Sequence, residues 1–130
     1  MSPGGEKFPL HALVVDDEPL ICWSVSESLT GLGIAVECAR DAASALRKVT
    51  TAVRPFDLVI LDLRLPDMHD LSLLSTVRQL LPNSTLVLMT AFGSQEILEQ
   101  ARGLGATVLS KPFELSELNG IVLESLTGLD

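Results

Sequence analysis

Four polar stations stand out along the chain: Asp16-Asp17-Glu18, Asp62, Thr90 and Ser110-Lys111. Each follows a short run of Leu, Val, Ile or Met, at residues 10–15, 58–61, 86–89 and 107–109. If the stations meet, the carboxylates of Asp16, Asp17 and Asp62, the Thr90 hydroxyl and the Lys111 ammonium share one place. Two carboxylates about 4 Å apart repel by roughly 4 kcal/mol at an effective dielectric near 20, so such a cluster needs positive charge. Lys111 brings one. A hard divalent ion, Mg²⁺ or Mn²⁺, suits the remaining all-oxygen donors. An ion held by few protein ligands leaves positions for phosphoryl oxygens. With a lysine and a hydroxyl around one carboxylate, the chemistry is phosphoryl transfer by positioning and charge neutralisation. The acceptor is then a carboxylate, and the product an acyl phosphate.

Whether the stations meet depends on the elements between them. The apolar runs, with a further one at 34–38, barely alternate with polar residues, as expected of strands buried on both faces of a parallel sheet. Helical patterns separate them. Pro19 opens the first; Ile21, Val25, Leu29 and Leu32 carry its period, and Gly31 and Gly33 stop it. Asp41 caps a second, with Ala42, Ala45, Leu46 and Val49 on one face. Leu73, Leu74, Val77, Leu80 and Leu81 mark a third, ended by Pro82-Asn83. Ser94 caps a fourth, carrying Ile97, Ala101 and Leu104 and ending at Gly103 and Gly105; Leu118, Ile121, Val122 and Leu126 mark the last.

Five strand-helix repeats predict an α/β fold: a doubly wound five-stranded parallel sheet of flavodoxin-like order 2-1-3-4-5, helices on both faces. Ligands of such sheets bind beyond the carboxyl ends of the strands, where the stations fall. Taken singly, each residue has a plainer reading. Asp16 and Asp17 could cap the first helix, Asp62 could belong to a turn before Leu65-Pro66, Thr90 could be a β-branched strand end, and Lys111 could be solvated. Their coincidence at four strand ends favours a site.

Composition narrows the rest. A chain of 130 residues, 47% hydrophobic, is one domain with a substantial core. No apolar run is long enough to cross a bilayer. A formal charge of −8 argues against direct nucleic-acid binding. Cys22 and Cys38 are two cysteines without a redox motif. With no signal-peptide pattern at the start, they point to a cytoplasmic setting.

The segments VVDDEP (14–19), LVILDLRLPDM (58–68), VLMTAFGS (87–94) and SKPF (110–113) resemble the receiver domain of two-component response regulators. The wording is most like the nitrogen-regulation, enhancer-binding type. The resemblance covers 9–127 as the receiver, with flexible tails at 1–8 and 128–130. It implies a phosphorylation-dependent switch rather than an enzyme with a separate substrate, although such domains catalyse their own phosphorylation and dephosphorylation. Asp62 would accept a phosphoryl group from a histidine kinase or a small phosphodonor. Asp17, Asp62 and the backbone carbonyl of Arg64 would ligate Mg²⁺, and Asp16 would reach it through water. Lys111 would pair with Asp62 and then with the phosphoryl oxygens. Thr90 would move to bond the phosphoryl group, and Lys111-Pro112 would be cis. Partners implied are the cognate kinase and an effector, in cis or as a separate protein. The apolar residues of the last helix exceed one core stripe, which fits either a homodimer or effector surface on activation or a well-buried helix.

Three positions depart from the family pattern. Val108 stands where an aromatic residue usually couples to the threonine, and valine is short and stiff at χ1; Phe92 is a candidate substitute ring. Asp70 replaces a glycine, which would be strained if that turn needed positive φ. Arg64 occupies a variable position and could pair with Glu18 or Asp67. These departures leave an alternative, a degenerate receiver that binds partners without being phosphorylated. A flavin carrier is excluded by DDEPL, whose charge would repel a phosphate. Arg64 argues against a dehalogenase-type phosphatase, because it stands where the general acid would be. His11 reads as a satisfied strand-start residue, His69 as surface, and Trp23 as a reporter for the site if it lies close by.

Overall fold

The computed structural model describes residues 10–91 and 93–126. The tails at 1–8 and 128–130, and Phe92, lie outside the described residues. The elements alternate as β1 (His11–Val15), α1 (Pro19–Thr30), β2 (Ala35–Ala39), α2 (Ala42–Thr51), β3 (Leu58–Asp62), α3 (Ser72–Leu80), β4 (Thr85–Thr90), α4 (Gln95–Gly103), β5 (Ala106–Ser110) and α5 (Leu115–Leu126). All strand pairs are parallel, and the order is β2-β1-β3-β4-β5, as the alternation predicts.

The missing polar alternation in the central strands has a direct cause. Leu13, Val15, Val59, Leu61, Leu86 and Leu88 pack with residues of α2, α3 and α4 on one face. Ala12, Val14, Leu58, Ile60, Val87 and Met89 pack with residues of α1 and α5 on the other. Each such leucine, fully buried, contributes roughly 2 kcal/mol of transfer free energy. The expectation of two buried faces fails at the sheet edges. β2 exposes Ala35 and Glu37, and β5 exposes Thr107 and Ser110. An edge strand has a neighbour on one side only, so its helix cover is incomplete.

The helix caps follow the sequence closely. Asp41 accepts from Ser44 N at 2.7 Å and Ser94 from Ile97 N at 3.1 Å. Glu18, not Asp16 or Asp17, is the N-cap of α1, and it makes no side-chain cap bond. Gly33 and Gly105 take φ of +86° and +83° after α1 and α4, a region few other residues enter cheaply. The α1 stripe stops before Leu32, which is 38% exposed, and Leu80 turns away from the core while Leu81 enters it. No non-glycine residue among those described has positive φ, so the strain considered for Asp70 does not arise. Its carboxylate instead accepts from Ser72 N at 2.9 Å and starts α3.

Candidate functional site

The strand ends converge as the topology requires. Asp16 follows β1, its amide donating to Ala39 O at 3.0 Å, which extends the β1–β2 pairing by one step. Asp62 is the last residue of β3, in register with Met89; Leu63 N then donates to Met89 O at 3.0 Å. Thr90 ends β4 opposite Ser110, and Lys111 N donates to Thr90 O at 2.8 Å. The Lys111–Pro112 peptide is cis.

Side chains complete the site. One carboxylate oxygen each from Asp16, Asp17 and Asp62 lie within 4.8 Å of one another. Asp16 is fully buried, Asp62 is 9% exposed, and Asp17 faces solvent. Lys111 Nζ donates to Asp16 Oδ2 at 2.8 Å, Asp62 Oδ2 at 3.1 Å and Glu18 Oε1 at 3.4 Å. Asp62 Oδ1 accepts from Arg64 N at 3.3 Å, and Asp16 Oδ1 from Glu18 N at 2.9 Å. Beside these groups, Glu18, Asp62, Arg64, Thr90, Ala91 and Lys111 line a cavity of about 180 Å³.

Charges are unevenly compensated. Burial pushes the Asp62 carboxyl above the usual carboxylate value, although the Lys111 bonds pull the other way. Burial disfavours the Lys111 ammonium, but its bonds to Asp16 and Asp62 outweigh that and hold its pKa above the ordinary lysine value. One lysine among four acids leaves the pocket negative. The donors are all oxygen, three of them close enough to share one ion, so the set fits a hard divalent cation.

The structure therefore gathers every residue that the sequence singles out: Asp16, Asp17, Asp62, Arg64, Thr90 and Lys111. The family pattern of the response regulator receiver domain matches residues 12–123. The chain is a member of the response regulator receiver family. It is 35% identical over 116 residues to the response regulator protein PilR of Pseudomonas aeruginosa, covering 88% of this chain and 26% of that protein. It is 31% identical to sporulation initiation phosphotransferase F of Bacillus subtilis, covering 88% of this chain and 91% of that protein. The DNA-binding transcriptional regulator NtrC of Klebsiella pneumoniae is 31% identical, over 85% of this chain and 24% of NtrC. The chain thus spans about a quarter of PilR and NtrC but nearly all of phosphotransferase F. Among solved structures, a CheY-like receiver domain from Methanospirillum hungatei superposes with a TM-score of 0.86 at 29% identity, covering 92% of this chain and 95% of that one.

Sequence reasoning missed some roles in this receiver. Glu18 is a third partner of Lys111. Asp67 caps α2: its Oδ1 accepts from Ala42 N at 2.8 Å and its Oδ2 from Ala43 N at 3.0 Å. Those bonds hold its pKa below the usual carboxylate value. No local motif signals a cap donated from another loop. His11 is satisfied at one nitrogen only: Nε2 meets Glu37 Oε2 at 2.8 Å, and its ring lies on Phe56 with centroids 4.2 Å apart. Burial, reinforced by Cys38, pushes the Cys22 thiol up to about 12, consistent with an inert core thiol. Trp23 stands on the outer surface of α1, 62% exposed.

Proposed function

We propose that this domain is a phosphorylation-dependent signalling switch in which Asp62 accepts a phosphoryl group. The observation that carries the reading is that Asp62, Thr90 and Lys111 line one cavity while Asp16 and Asp17 bring carboxylate oxygens within 4.8 Å of that of Asp62. Asp62 presents Oδ2 to Lys111 and Oδ1 to the Arg64 amide, which orients the carboxylate toward an incoming phosphorus. Once Asp62 is an acyl phosphate, the Lys111 ammonium pairs with a phosphoryl oxygen. Thr90, at the same cavity wall, bonds another. That movement draws on the chain leading into α4 and favours an alternative surface.

Asp17, Asp62 and the Arg64 carbonyl would hold Mg²⁺, or Mn²⁺, with Asp16 acting through water. When bound, the ion supplies positive charge that offsets the phosphoryl oxygens and the acids around them. The domain turns over no separate substrate; it catalyses transfer to itself and the later hydrolysis. The phosphodonor is a histidine kinase, and the output is an effector in cis or a separate partner, with transcription control as in the relative named DNA-binding transcriptional regulator NtrC. No described helix is long and apolar enough to cross a membrane, and a cytoplasmic setting fits these partners. The receiver is assigned to 9–127 by the sequence resemblance.

On α5, Leu118 and Val122 are fully buried, Ile121 and Leu126 pack against the core, and Leu123 is 46% exposed. Most of that helix's apolar excess is therefore core. A homodimer on activation must draw on a wider face than α5 alone.

Acetyl phosphate with Mg²⁺ tests the function. The expected result is one phosphoryl adduct by intact mass, lost in Asp62→Asn. An unmodified chain under conditions that bind Mg²⁺ would instead favour the phosphorylation-independent interaction module.

A further inference from the structure

The loop after β3 is held by more bonds than its own turn requires. Leu65 and Met68 exchange backbone hydrogen bonds, Leu65 N to Met68 O at 2.8 Å and Met68 N to Leu65 O at 3.3 Å. Leu63 and Leu65, on either side of Arg64, are buried. Asp70 fixes the loop's exit through Ser72 N. Asp67 then reaches across to α2 and takes the amides of Ala42 and Ala43. Yet α2 already has its own cap in Asp41, which accepts from Ser44 N. One side-chain cap suffices to start most helices. A second, bidentate cap supplied from 24 and 25 residues away ties two elements together.

We propose that Asp67 is a positioning residue for the metal side of the acidic pocket. It fastens the loop carrying the Arg64 carbonyl to the N-terminus of α2, and so couples α2 to the site. This rests on the proposed ligand role of that carbonyl. Asp17, Arg64, Leu65, Pro66 and His69 line one groove, so this loop forms the wall beside the exposed metal-side acid. Asp67 grips α2, whose first-turn N–H groups have no intrahelical partner and present a partial positive charge to the carboxylate. Coupling of this kind is reciprocal: an ion that fixes the loop also steadies the α2 amides bonded to it.

The test is Mg²⁺ binding by the whole chain, measured by calorimetry, together with amide hydrogen exchange. Removing an outer partner of a metal ligand typically weakens binding tenfold or more. Asp67→Ala should therefore weaken Mg²⁺ binding by about tenfold. Asp67→Asn, which keeps one acceptor oxygen, should fall in between. Mg²⁺ should slow exchange at Ala42 and Ala43 in the parent chain and not in Asp67→Ala. Asp41→Ala is the control: it removes the local cap but keeps the Asp67 link, so Mg²⁺ affinity should fall much less than in Asp67→Ala. Parent affinity in Asp67→Ala would overturn the proposal. So would equal weakening in Asp41→Ala, which would reduce Asp67 to a helix cap. A parent chain that binds no Mg²⁺ would overturn the metal site itself, a result separable from both.

Discussion

The Lys111 ammonium lies 2.8 Å from Asp16 Oδ2, closer than the 3.1 Å that separates it from Asp62 Oδ2. Its shortest bond is thus to the fully buried acid of the metal side. The ammonium therefore offsets charge that a divalent ion would also offset, and the two compete for the same carboxylates.

Lys111→Met should expose that competition. Breaking a buried ion pair by removing one partner costs about 3 kcal/mol, and Asp16 and Asp62 would lose their common counter-charge. Mg²⁺ at a hundred times its dissociation constant stabilises by about 2.7 kcal/mol. Thermal melting should show the variant well below the parent without Mg²⁺ and gaining more from Mg²⁺ at equal concentration. An identical Mg²⁺-induced rise in both proteins would show that lysine and ion do not share acids.

A second expectation concerns pH. Asp62 is harder to ionise in the folded chain than its ordinary value of 3.8. Its ionisation therefore opposes folding, and the sign follows from linkage. Below the unfolded value the group is protonated in both states and costs nothing. The cost grows as pH rises through the folded value and is complete at neutrality. Without Mg²⁺, Asp62→Asn should melt higher than the parent at pH 7, and the difference should vanish toward about pH 3. A difference that is constant with pH would mean that the gain comes from packing rather than charge.

How much of this was legible in the chain differs from residue to residue. Asp16, Asp62, Thr90 and Lys111 could be placed together because a parallel sheet brings strand ends to one edge, and strand order follows from alternation and crossover handedness. Asp41 and Ser94 were legible as caps because a cap acts within its own first turn. Asp67 was not, because its partners lie on α2, 24 and 25 residues away, and Arg78 was not, because its partner carbonyls lie where helices and loops end, outside any periodic pattern. The last helix was left open between surface and core for a related reason: periodicity gives a helix's apolar stripe but not the width of the surface that covers it.

Thr90 offers a separation of chemistry from response. Its side chain is nearly buried at the end of β4, and Val108 on β5 is half-buried against the core. With valine in that place, no aromatic side chain at position 108 relays a threonine movement, and Thr90 is expected to act through the β4–α4 chain. Gly93 keeps that chain close: a Cβ there would stand 3.0 Å from Leu98 Cδ2 and 3.8 Å from Thr90 Oγ1. Thr90→Ala should retain the acetyl-phosphate adduct while abolishing NMR shift changes in α4 on adding beryllofluoride and Mg²⁺. Full α4 shifts in the variant would move the switch elsewhere.

The far end of α4 is built differently, and the last expectation follows from it. Arg78 on α3 donates through Nε to Leu104 O at 2.8 Å, and through Nη1 to the carbonyls of Leu81, Pro82 and Ser84 at 3.0, 3.0 and 3.1 Å. One guanidinium thus binds the carbonyls where α3 and α4 end and where β4 begins. By contrast, the only buried residue of α4 is Ala101, near the same end. A helix gripped at its C-terminus and lightly packed elsewhere moves by swinging its N-terminal half. Arg78→Met strands several carbonyls and should cost about 3 kcal/mol in chemical denaturation. Arg78→Lys should recover little, because an ammonium lacks the planar fork. In the parent, beryllofluoride with Mg²⁺ should change hydrogen exchange at residues 94–98 and leave 101–105 unchanged. Equal changes along the whole helix would mean that α4 shifts as a rigid rod and that Arg78 does not anchor it.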